Sequence, residues 1–513
     1  MFKTQQQFFY SFMNFFLLHQ NHFKLFFPEV FLATSILLLT LYATYVASSR
    51  SLGFPLITRN LNRISVFILI ITFLLVYNNE ISFKEVYQNT FIFDILSTQV
   101  KEITLISSII CLLLFEESLL KLKINNFEYS LLLLGAILGL MFLVSSYDLL
   151  SLYLAIEMQS LCLYVLAAAK KDSTFSTEAG LKYFILGSFS SALLLFGISI
   201  LYGCTGTTNF HDLSLLFSAD FGSDPLMTSA IEKGILFIAA AFLFKIAAAP
   251  LHMWSPDVYE GSPISSTIFF AVIPKLALFT VFLRLFQGVL FSFQDILLYV
   301  LVLFSMASVV VGSFAALKQK KLKRLLAYSS ISHVGYLLLA FAANSIEGTQ
   351  ALFFYLSIYM ITSLTLWTFV LSIESTTNLN RSKTLVDLSN IVTANPLLAL
   401  TGLLAFFSLA GVPPLAGFYA KMQVFVHTMG SSFFFASFFA ILTSVISSYY
   451  YIRVIKNIYF EGLINKTSTD VFHYPVTRAS SLMLGSGLLF LIFLFLNPTM
   501  LLLFTEKMAL SLF

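Results

Sequence analysis

Apolar runs of about 20 residues follow one another along almost the whole sequence, separated by short polar connections. A run of this length crosses the hydrocarbon core of a membrane as an α-helix. The composition agrees, because 58% of the 513 residues are hydrophobic, only 11% are charged and the mean hydropathy is +0.89. Since hydrocarbon satisfies no backbone polar group, we predict an all-α polytopic membrane protein with about fourteen transmembrane helices and no soluble domain.

The distribution of basic residues tests this helix count. The predicted helices lie at about 29–48, 61–77, 97–118, 128–146, 148–169, 180–203, 230–250, 263–286, 294–316, 323–343, 349–373, 395–425 with a break, 432–455 and 480–504. Eighteen of the 29 lysine and arginine residues fall in connections after odd-numbered helices. Connections after even-numbered helices contain Lys84 alone, with Lys101, Lys233 and Arg284 near helix ends. The positive-inside rule therefore places the basic connections in the matrix or cytoplasm and both termini on the other side.

Two of the predicted helices contain prolines near a lysine. The seventh breaks at Pro250, five residues after Lys245, and the twelfth breaks at Pro413 and Pro414, shortly before Lys421. Proline lacks a backbone donor, so carbonyls of the preceding turn lose their partners. Such carbonyls persist at membrane depth only beside protein or a water-filled cavity. Paired broken helices indicate inverted repeats with a working site at their interface, whereas proline kinks used only for packing are the alternative.

Several titratable side chains lie at predicted membrane depth. Lys245 and Lys275 occupy apolar surroundings, where a charge costs roughly 3 kcal/mol, so such residues usually mark an ion or proton path. The fifth helix carries one polar stripe, formed by Tyr153, Glu157, Ser160 and Tyr164. A lysine within reach would allow Glu157 to ionise. A purely structural Glu–Lys pair is the alternative.

The tenth helix places His333 beside polar side chains. Tyr328, Ser332 and Tyr336 share a face of this helix, and His333 lies next to it. Histidine titrates near neutrality and relays protons. Packing through the small residues of this helix, with His333 hydrogen-bonded to a neighbour, is the alternative.

Other motifs argue against bound cofactors. The three cysteines, Cys111, Cys162 and Cys204, each stand alone in an apolar helix, without the spacing of a metal site or a disulfide framework. The sequence has no dinucleotide-binding fingerprint and no cysteine cluster for iron and sulfur. We expect this chain to bind no redox cofactor, metal or nucleic acid. The first 27 residues lack a cleavage pattern, so we predict an N-terminal extension ahead of the first helix.

Five segments of the chain resemble a known family. They are YLAIEMQSLCLYVLAA, STEAGLKYFILGSFSSALLLFG, FLFKIAAAPLHMWSPDVYEGSP, KLKRLLAYSSISHVGY and GVPPLAGFYAK. In order and from Pro28 onward, the chain resembles the subunit 2 family of the proton-pumping NADH:quinone oxidoreductase, respiratory complex I. It is most similar to the long, fourteen-helix mitochondrial form of plants, algae and protists. The resemblance implies two inverted five-helix repeats, each with a discontinuous helix.

The resemblance also implies roles for individual residues. Glu157 corresponds to the acid of the fifth helix, Lys245 and Lys421 to the lysines of the two broken helices, Lys275 to the connecting lysine, and His333 to the central histidine. The segment after Gly261-Ser-Pro departs from the family pattern, which leaves the start of the eighth helix open. The expected units are an extension at 1–27, three helices at 28–127, two antiporter-like repeats at 128–290 and 291–460, and a C-terminal loop and helix at 461–513.

The function implied is proton translocation coupled to quinone reduction in partner subunits. FMN, iron–sulfur clusters and ubiquinone are expected in the complex and not in this chain, with neighbouring membrane-arm subunits, including antiporter-like ones, and lipids as partners. We expect a multi-pass protein of the mitochondrial inner membrane, with both termini in the intermembrane space and the basic loops in the matrix. A stand-alone cation/proton antiporter, an inert structural spacer and a plastid homologue are the alternatives.

Overall fold

The computed structural model describes residues 2–47, 54–79, 83–121, 126–218, 225–373, 384–431, 433–460 and 476–512. Within these ranges, thirteen helices are long and apolar enough to cross a membrane. The shorter apolar helix Pro396–Ala410 begins one more crossing. The all-α polytopic fold and the count of about fourteen transmembrane helices are therefore confirmed.

The elements follow one another in a simple order. The helices are α1 (Phe2–Ala47), α2 (Phe54–Tyr77), α3 (Ile95–Lys121), α4 (Glu128–Ser145), α5 (Leu149–Ala167), α6 (Thr174–Thr205), α7 (Phe210–Ser218), α8 (Pro225–Ile246), α9 (Trp254–Gly261), α10 (Ile264–Leu283), α11 (Gln294–Leu317), α12 (Leu322–Ala342), α13 (Ile346–Ser372), α14 (Ile391–Ala394), α15 (Pro396–Ala410), α16 (Ala416–Gly430), α17 (Phe434–Tyr459), α18 (Arg478–Leu496) and α19 (Thr499–Leu510). A short hairpin of β1 (Lys84–Val86) and β2 (Phe91–Phe93) precedes α3.

Three helices form the centre of the molecule. The membrane windows of Ile264–Val289, Leu322–Ala342 and Ile346–Ser372 are 100%, 94% and 89% buried, whereas that of α18 is only 22% buried. The helices of a soluble protein turn polar side chains towards water. Here the peripheral helices turn apolar side chains towards the outside of the molecule. The central helices are therefore the ones on which a charge meets only protein.

Two helix boundaries differ from the sequence prediction. Helix α1 begins at Phe2, well before the predicted start at 29, because no glycine or proline interrupts the chain ahead of Pro28. The last predicted helix is divided into α18 and α19 at Pro498, which cannot continue the hydrogen-bonded ladder.

The connections separate onto two faces. The basic connection at 318–324 contacts two later segments: Arg453 donates to the carbonyl of Gln319 over 2.9 Å, and the backbone of Lys321 forms an isolated β-bridge with that of Thr384. We call this the basic face. On the opposite face, the β1–β2 turn contacts two later connections, because Tyr147 donates to the carbonyl of Thr90 and Asn209 to that of Asn89. Within the described residues, these contacts agree with the predicted separation, but the basic residues at 50, 123, 381, 383 and 466 lie outside them.

Both predicted helix breaks are present, but the first begins earlier than its proline. Helix α8 ends at Ile246, and Ala247 adopts a left-handed conformation with φ +66°. A left-handed alanine costs roughly 1–2 kcal/mol, so its surroundings hold this turn in place. The second break follows Ala410, where Gly411 takes φ +83° at no such cost. Prolines correctly indicated the breaks, whereas the left-handed residues set where each helix ends.

Candidate functional site

Lys245 lies in the last turn of α8, directly before the first break. Its Nζ donates to the hydroxyl of Tyr164 on α5 over 3.3 Å and lies 5.8 Å from the centre of that ring. The carbonyl of Phe244 accepts from the backbone N–H of Ala247 over 3.0 Å and from the indole of Trp254 over 2.9 Å, so a side chain from beyond the break adds a second donor at the end of α8. Tyr183 stacks on Trp254 with ring centres 4.8 Å apart, which fixes the indole.

Glu157 faces the same region from α5. Its charge acts electrostatically on Lys245. In the part of the chain that the structure describes, however, Glu157 forms no ion pair, and its buried Oε1 accepts no hydrogen bond. The two side chains are therefore neighbours within electrostatic range, held apart in this conformation.

A small internal cavity joins Lys245 to Lys275. Its volume is about 20 Å³, and roughly 10–15 Å³ is enough to hold one water molecule. Its polar lining includes Gln159, whose buried Oε1 has no partner among the described residues. Two lysines and an unsatisfied amide oxygen give a water molecule the hydrogen-bond partners that it needs. The cavity thus has room and polar partners for one water molecule between the two lysines.

Lys275 sits on α10, the fully buried central helix. Only 4% of this residue is exposed. Its Nζ donates to the hydroxyl of Tyr359 on α13 over 3.2 Å and lies 5.1 Å from the centre of the ring. A hydroxyl and a ring face are weak substitutes for water, so this ammonium is held without a carboxylate partner in the described structure.

His333 occupies the middle of the molecule on α12. Its Nδ1 lies 2.6 Å from the hydroxyl of Tyr355, and its Nε2 lies 3.1 Å from that of Tyr451. Both ring nitrogens therefore have a partner that can donate or accept. His333 also interacts electrostatically with Lys275 on one side and Lys421 on the other. It connects the two lysines in space.

Lys421 lies on α16, after the second break. Its Nζ donates to the carbonyl of Ala410 over 3.0 Å, and this is one of the carbonyls that the prolines deprive of a backbone donor. The ammonium also lies 5.5 Å from the ring centre of Tyr336. No ion pair of Lys421 occurs within the described ranges. The ammonium of Lys421 thus caps the C-terminal end of α15.

The structure brings all five predicted residues into one row, which we call the buried row: Lys275, His333 and Lys421 are buried, and Glu157 and Lys245 are half-buried. Glu157 and Lys245 lie beside the first break, Lys275 and His333 lie in the centre, and Lys421 lies at the second break. Whether they transfer protons stays a prediction. Over the described residues, no group of three or more histidine, cysteine or acidic side chains is arranged to hold a metal ion.

The sequence reasoning missed the tyrosines that connect this row. Tyr355 and Tyr359 come from α13, and Tyr450 and Tyr451 come from α17, with ring centres of the latter pair 4.3 Å apart. The signal was available in part, because Tyr355 and Tyr359 are spaced i, i+4 on an apolar helix and so share a face. Their convergence on His333 depends on helix packing, which no spacing within one helix reveals.

Two buried ion pairs outside this row were also missed. Glu29 on α1 and Lys101 on α3 pair over 2.5 Å with side chains 0% and 2% exposed. Asp94 and Arg284 pair over 2.7 Å, and Arg284 also donates to the carbonyl of Val144. Lone charges in apolar helices were the available signal. These pairs tie the first three helices to α4 and α10.

A network of charges lies at the basic face, around α9. Lys182 pairs with Asp257 over 3.0 Å, and Arg324 contacts both Asp257, at 3.4 Å, and Glu260, at 3.3 Å. Lys321 also pairs with Glu260. These contacts join the beginnings of α6 and α12 to the short helix that follows the first break. The half-exposed side chain of Lys182 also pairs with Glu178, so two acids hold it at this face.

Comparisons with known proteins agree on one family. Residues 146–447 match the family described as NADH:quinone oxidoreductase/Mrp antiporter, transmembrane. The chain is 42% identical over 503 residues to NADH-ubiquinone oxidoreductase chain 2 of Marchantia polymorpha, covering 96% of this chain and 99% of that one. It is 38% identical to the protein of the same name from Arabidopsis thaliana, over 96% and 97% of the two chains.

Solved structures show the same fold. A chain of respiratory complex I from Thermus thermophilus superimposes with a TM-score of 0.73 at 30% identity, over 93% of this chain and 98% of that one. A chain of the Mrp complex from Dietzia sp. superimposes with a TM-score of 0.76 at 20% identity, over 94% and 97%. The second similarity concerns the fold alone.

Proposed function

Because the chain belongs to the NADH:quinone oxidoreductase/Mrp antiporter transmembrane family, we propose that it is subunit 2 of a respiratory complex I. It is a proton-translocating subunit of the membrane arm. One observation carries the proposed mechanism: four titratable cations and an acid form a buried row that runs from one broken helix to the other. Charges are rare at membrane depth unless they serve transport, which supports proton transfer along this row.

Each residue of the row has a proposed role. Glu157 controls the charge of Lys245 by approaching or leaving it, and Lys245 exchanges protons with Lys275 through water in the small cavity. Lys275 passes protons past His333 to Lys421. The tyrosine hydroxyls bonded to Lys275 and His333 support this route, because a hydroxyl both donates and accepts.

The energy required is within reach of such rearrangements. Moving a proton against a potential of about 150 mV costs roughly 3.5 kcal/mol, or about 2.5 pKa units. A unit charge that arrives or leaves at about 6 Å, in an effective dielectric near 20, changes the binding free energy of a proton by roughly 2.8 kcal/mol. A single change in the charge of a neighbour therefore supplies most of the work for one proton.

The oxidation of NADH belongs to other subunits in this proposal. FMN, iron–sulfur clusters and the ubiquinone site lie in partner chains, and this chain binds none of them. The peripheral helices, such as the largely exposed α18, contact lipids or neighbouring antiporter-like subunits. We place the protein in the mitochondrial inner membrane, with the basic face in the matrix and both termini in the intermembrane space.

Two other functions remain as outcomes of the tests. A stand-alone cation/proton antiporter is favoured by the Mrp fold, but it predicts ion exchange without electron transfer. An inert structural spacer predicts that the buried charges are dispensable. Similarity to chain 2 along nearly the whole of both chains supports the complex I proposal over the first alternative.

The proposal is tested by replacing Lys245 in the assembled complex. In sealed membrane vesicles, Lys245→Ala removes the proton carrier, so proton translocation should fall by at least about 100-fold in the step that uses it. NADH:quinone electron transfer should persist when an uncoupler dissipates the proton gradient across the vesicle membrane. Lys245→Arg should also fail, because guanidinium does not release its proton. Wild-type proton translocation in either variant would refute the assigned role.

A further inference from the structure

A second polar stripe runs along α16, away from the row of buried lysines. Tyr419, Gln423 and His427 are spaced i, i+4 and i+8, so they share one face of the helix. All three are half-buried. The stripe extends from near the second break towards the end of α16 at Gly430, over about 12 Å between Tyr419 and His427. None of these residues belongs to the row described above.

Hydrogen bonds connect the stripe to the surface. Gln423 Nε2 donates to the hydroxyl of Tyr419 over 2.9 Å, which directs the amide oxygen of Gln423 towards His427 Nε2, at 3.0 Å. His427 Nδ1 lies 3.1 Å from Glu347 Oε2 at the beginning of α13. Both ring nitrogens thus face oxygen acceptors, which is the arrangement that an imidazolium with its two N–H donors requires.

Exposure increases along the path. Lys421 is only 6% exposed. The side chain of His427 is 19% exposed and that of Glu347 is 74% exposed. Glu347 follows the connection of Asn344, which bonds to Gln294 at the start of α11 and so lies at the face opposite the basic one. The stripe therefore ends at the face opposite the basic one, towards which the proposed function moves protons.

We propose that His427, held between Gln423 and Glu347, transfers protons from the lysine row to the face opposite the basic connections. The imidazolium gives its Nδ1 proton to the Glu347 carboxylate, which passes it to bulk water. The neutral ring keeps its Nε2 proton, which it donates to Gln423 Oε1, and its free Nδ1 accepts the next proton from water. Gln423 is a positioning residue, because it orients the ring. The proposal requires water between Lys421 and His427, because no hydrogen bond between the described side chains joins them directly. This inference rests on the proposed function.

Two isosteric variants separate this role from a structural one. His427→Gln keeps a neutral, hydrogen-bonding side chain beside Glu347 but exchanges no proton, whereas His427→Glu exchanges protons but repels Glu347. Proton transfer predicts that the Glu variant translocates protons faster than the Gln variant. A structural role predicts the reverse order. Relative to wild type, we expect His427→Gln to lower the translocation rate by at least about tenfold, as for loss of a positioned acid–base group.

The measurement is the rate of proton translocation per NADH oxidised by the assembled complex in sealed vesicles. Met429→Gln, at an exposed position of the same helix turn, is the control and should match wild type. Glu347→Gln should lower the rate about two- to fivefold, because water partly replaces an exposed carboxylate. Translocation at the wild-type rate in His427→Gln, or a Gln variant faster than the Glu variant, would overturn the proposal. If Lys245→Ala also pumps normally, the proposed function fails; if Lys245→Ala alone loses pumping, only this exit fails.

Discussion

Each of the two broken helices places a lysine beside the break, but different side chains hydrogen-bond to the backbone carbonyls at the two breaks. At the first break, the indole of Trp254 bonds to the carbonyl of Phe244, and Lys245 is left to interact with Tyr164 and with the charge of Glu157. At the second break, Lys421 itself bonds to the carbonyl of Ala410. At the end of α8, the side chain that bonds to the carbonyl is Trp254, so Lys245 is not needed there. At the end of α15, the side chain that bonds to the carbonyl is Lys421 itself.

This difference indicates that Lys421 contributes to the stability of the fold and that Lys245 contributes less. An unsatisfied carbonyl at membrane depth costs several kcal/mol, so removing the ammonium of Lys421 exposes such a group. Removing the ammonium of Lys245 does not, because its donor bond goes to a tyrosine hydroxyl. A variant of Lys421 is therefore expected to change both transport and assembly, and a variant of Lys245 mainly transport.

The largest effect is expected at Lys421. Lys421→Met should abolish proton translocation by this chain and destabilise the fold by about 1–3 kcal/mol, the cost of leaving a buried acceptor without its donor. Lys421→Arg should recover assembly, because it retains a donor, but not translocation. Thermal unfolding of the assembled complex and translocation in vesicles measure the two effects. Equal stability of Lys421→Met and wild type would show that Lys421 does not stabilise the second break.

The next largest effect on translocation is expected at Glu157, the acid that lies near Lys245 and has no counterpart near Lys421 in the described structure. Glu157→Gln should lower proton translocation by this chain by about 100-fold, because a neutral amide no longer alternates the charge next to Lys245. Stability should change little, since Glu157 forms no ion pair among the described residues. The matched control is Glu178→Gln, an exposed acid on α6, which should translocate normally. A wild-type rate in Glu157→Gln would show that the first break, like the second, works without an acid.

A smaller effect is expected at Trp254, the structural counterpart of Lys421. Trp254→Phe keeps the stacking with Tyr183 but removes the donor to the Phe244 carbonyl. Because the Phe244 carbonyl keeps its bond from the Ala247 N–H, we expect a loss of only about 0.5–1.5 kcal/mol in unfolding free energy, with translocation reduced only as far as assembly is reduced. Quantifying assembled complex alongside translocation per assembled complex checks this. A translocation defect in fully assembled complex would assign Trp254 a direct role.

The smallest effect is expected from the tyrosine hydroxyls. Tyr164→Phe and Tyr359→Phe each remove one hydrogen bond to a lysine, worth roughly 0.5–1.5 kcal/mol, while keeping the ring under the ammonium. Each should therefore slow translocation by about two- to tenfold. Because Lys275 has no acid beside it in the described structure, the loss should be larger for Tyr359→Phe. The reverse order would indicate that Tyr164 is the more important connection.

Much of this fold was predictable because hydrophobic length and the positions of lysine and arginine are strong local signals. The thirteen membrane-spanning helices of the described residues and the two breaks near Lys245 and Lys421 followed from such signals. The break before Pro250 was misplaced, because Ala247 ends the helix through a left-handed turn that alanine seldom adopts. No local pattern indicates that conformation.

The site was predictable residue by residue, but its connections were not. Each of the five charged or titratable side chains was conspicuous in an apolar helix. The bonds of His333 to Tyr355 and Tyr451, and the pair of Glu29 with Lys101, join residues far apart in the sequence. Such contacts depend on how helices pack, and packing is set by shape over many residues.

Lys275 joins the two halves of the proposed route, so it gives the most direct test of the account. The measurement is the number of protons translocated per NADH oxidised by the assembled complex carrying Lys275→Met, a neutral side chain of similar length. The account predicts that this ratio falls below the wild-type value while uncoupled NADH:quinone electron transfer continues. An unchanged ratio in fully assembled complex would show that protons do not pass along the buried row.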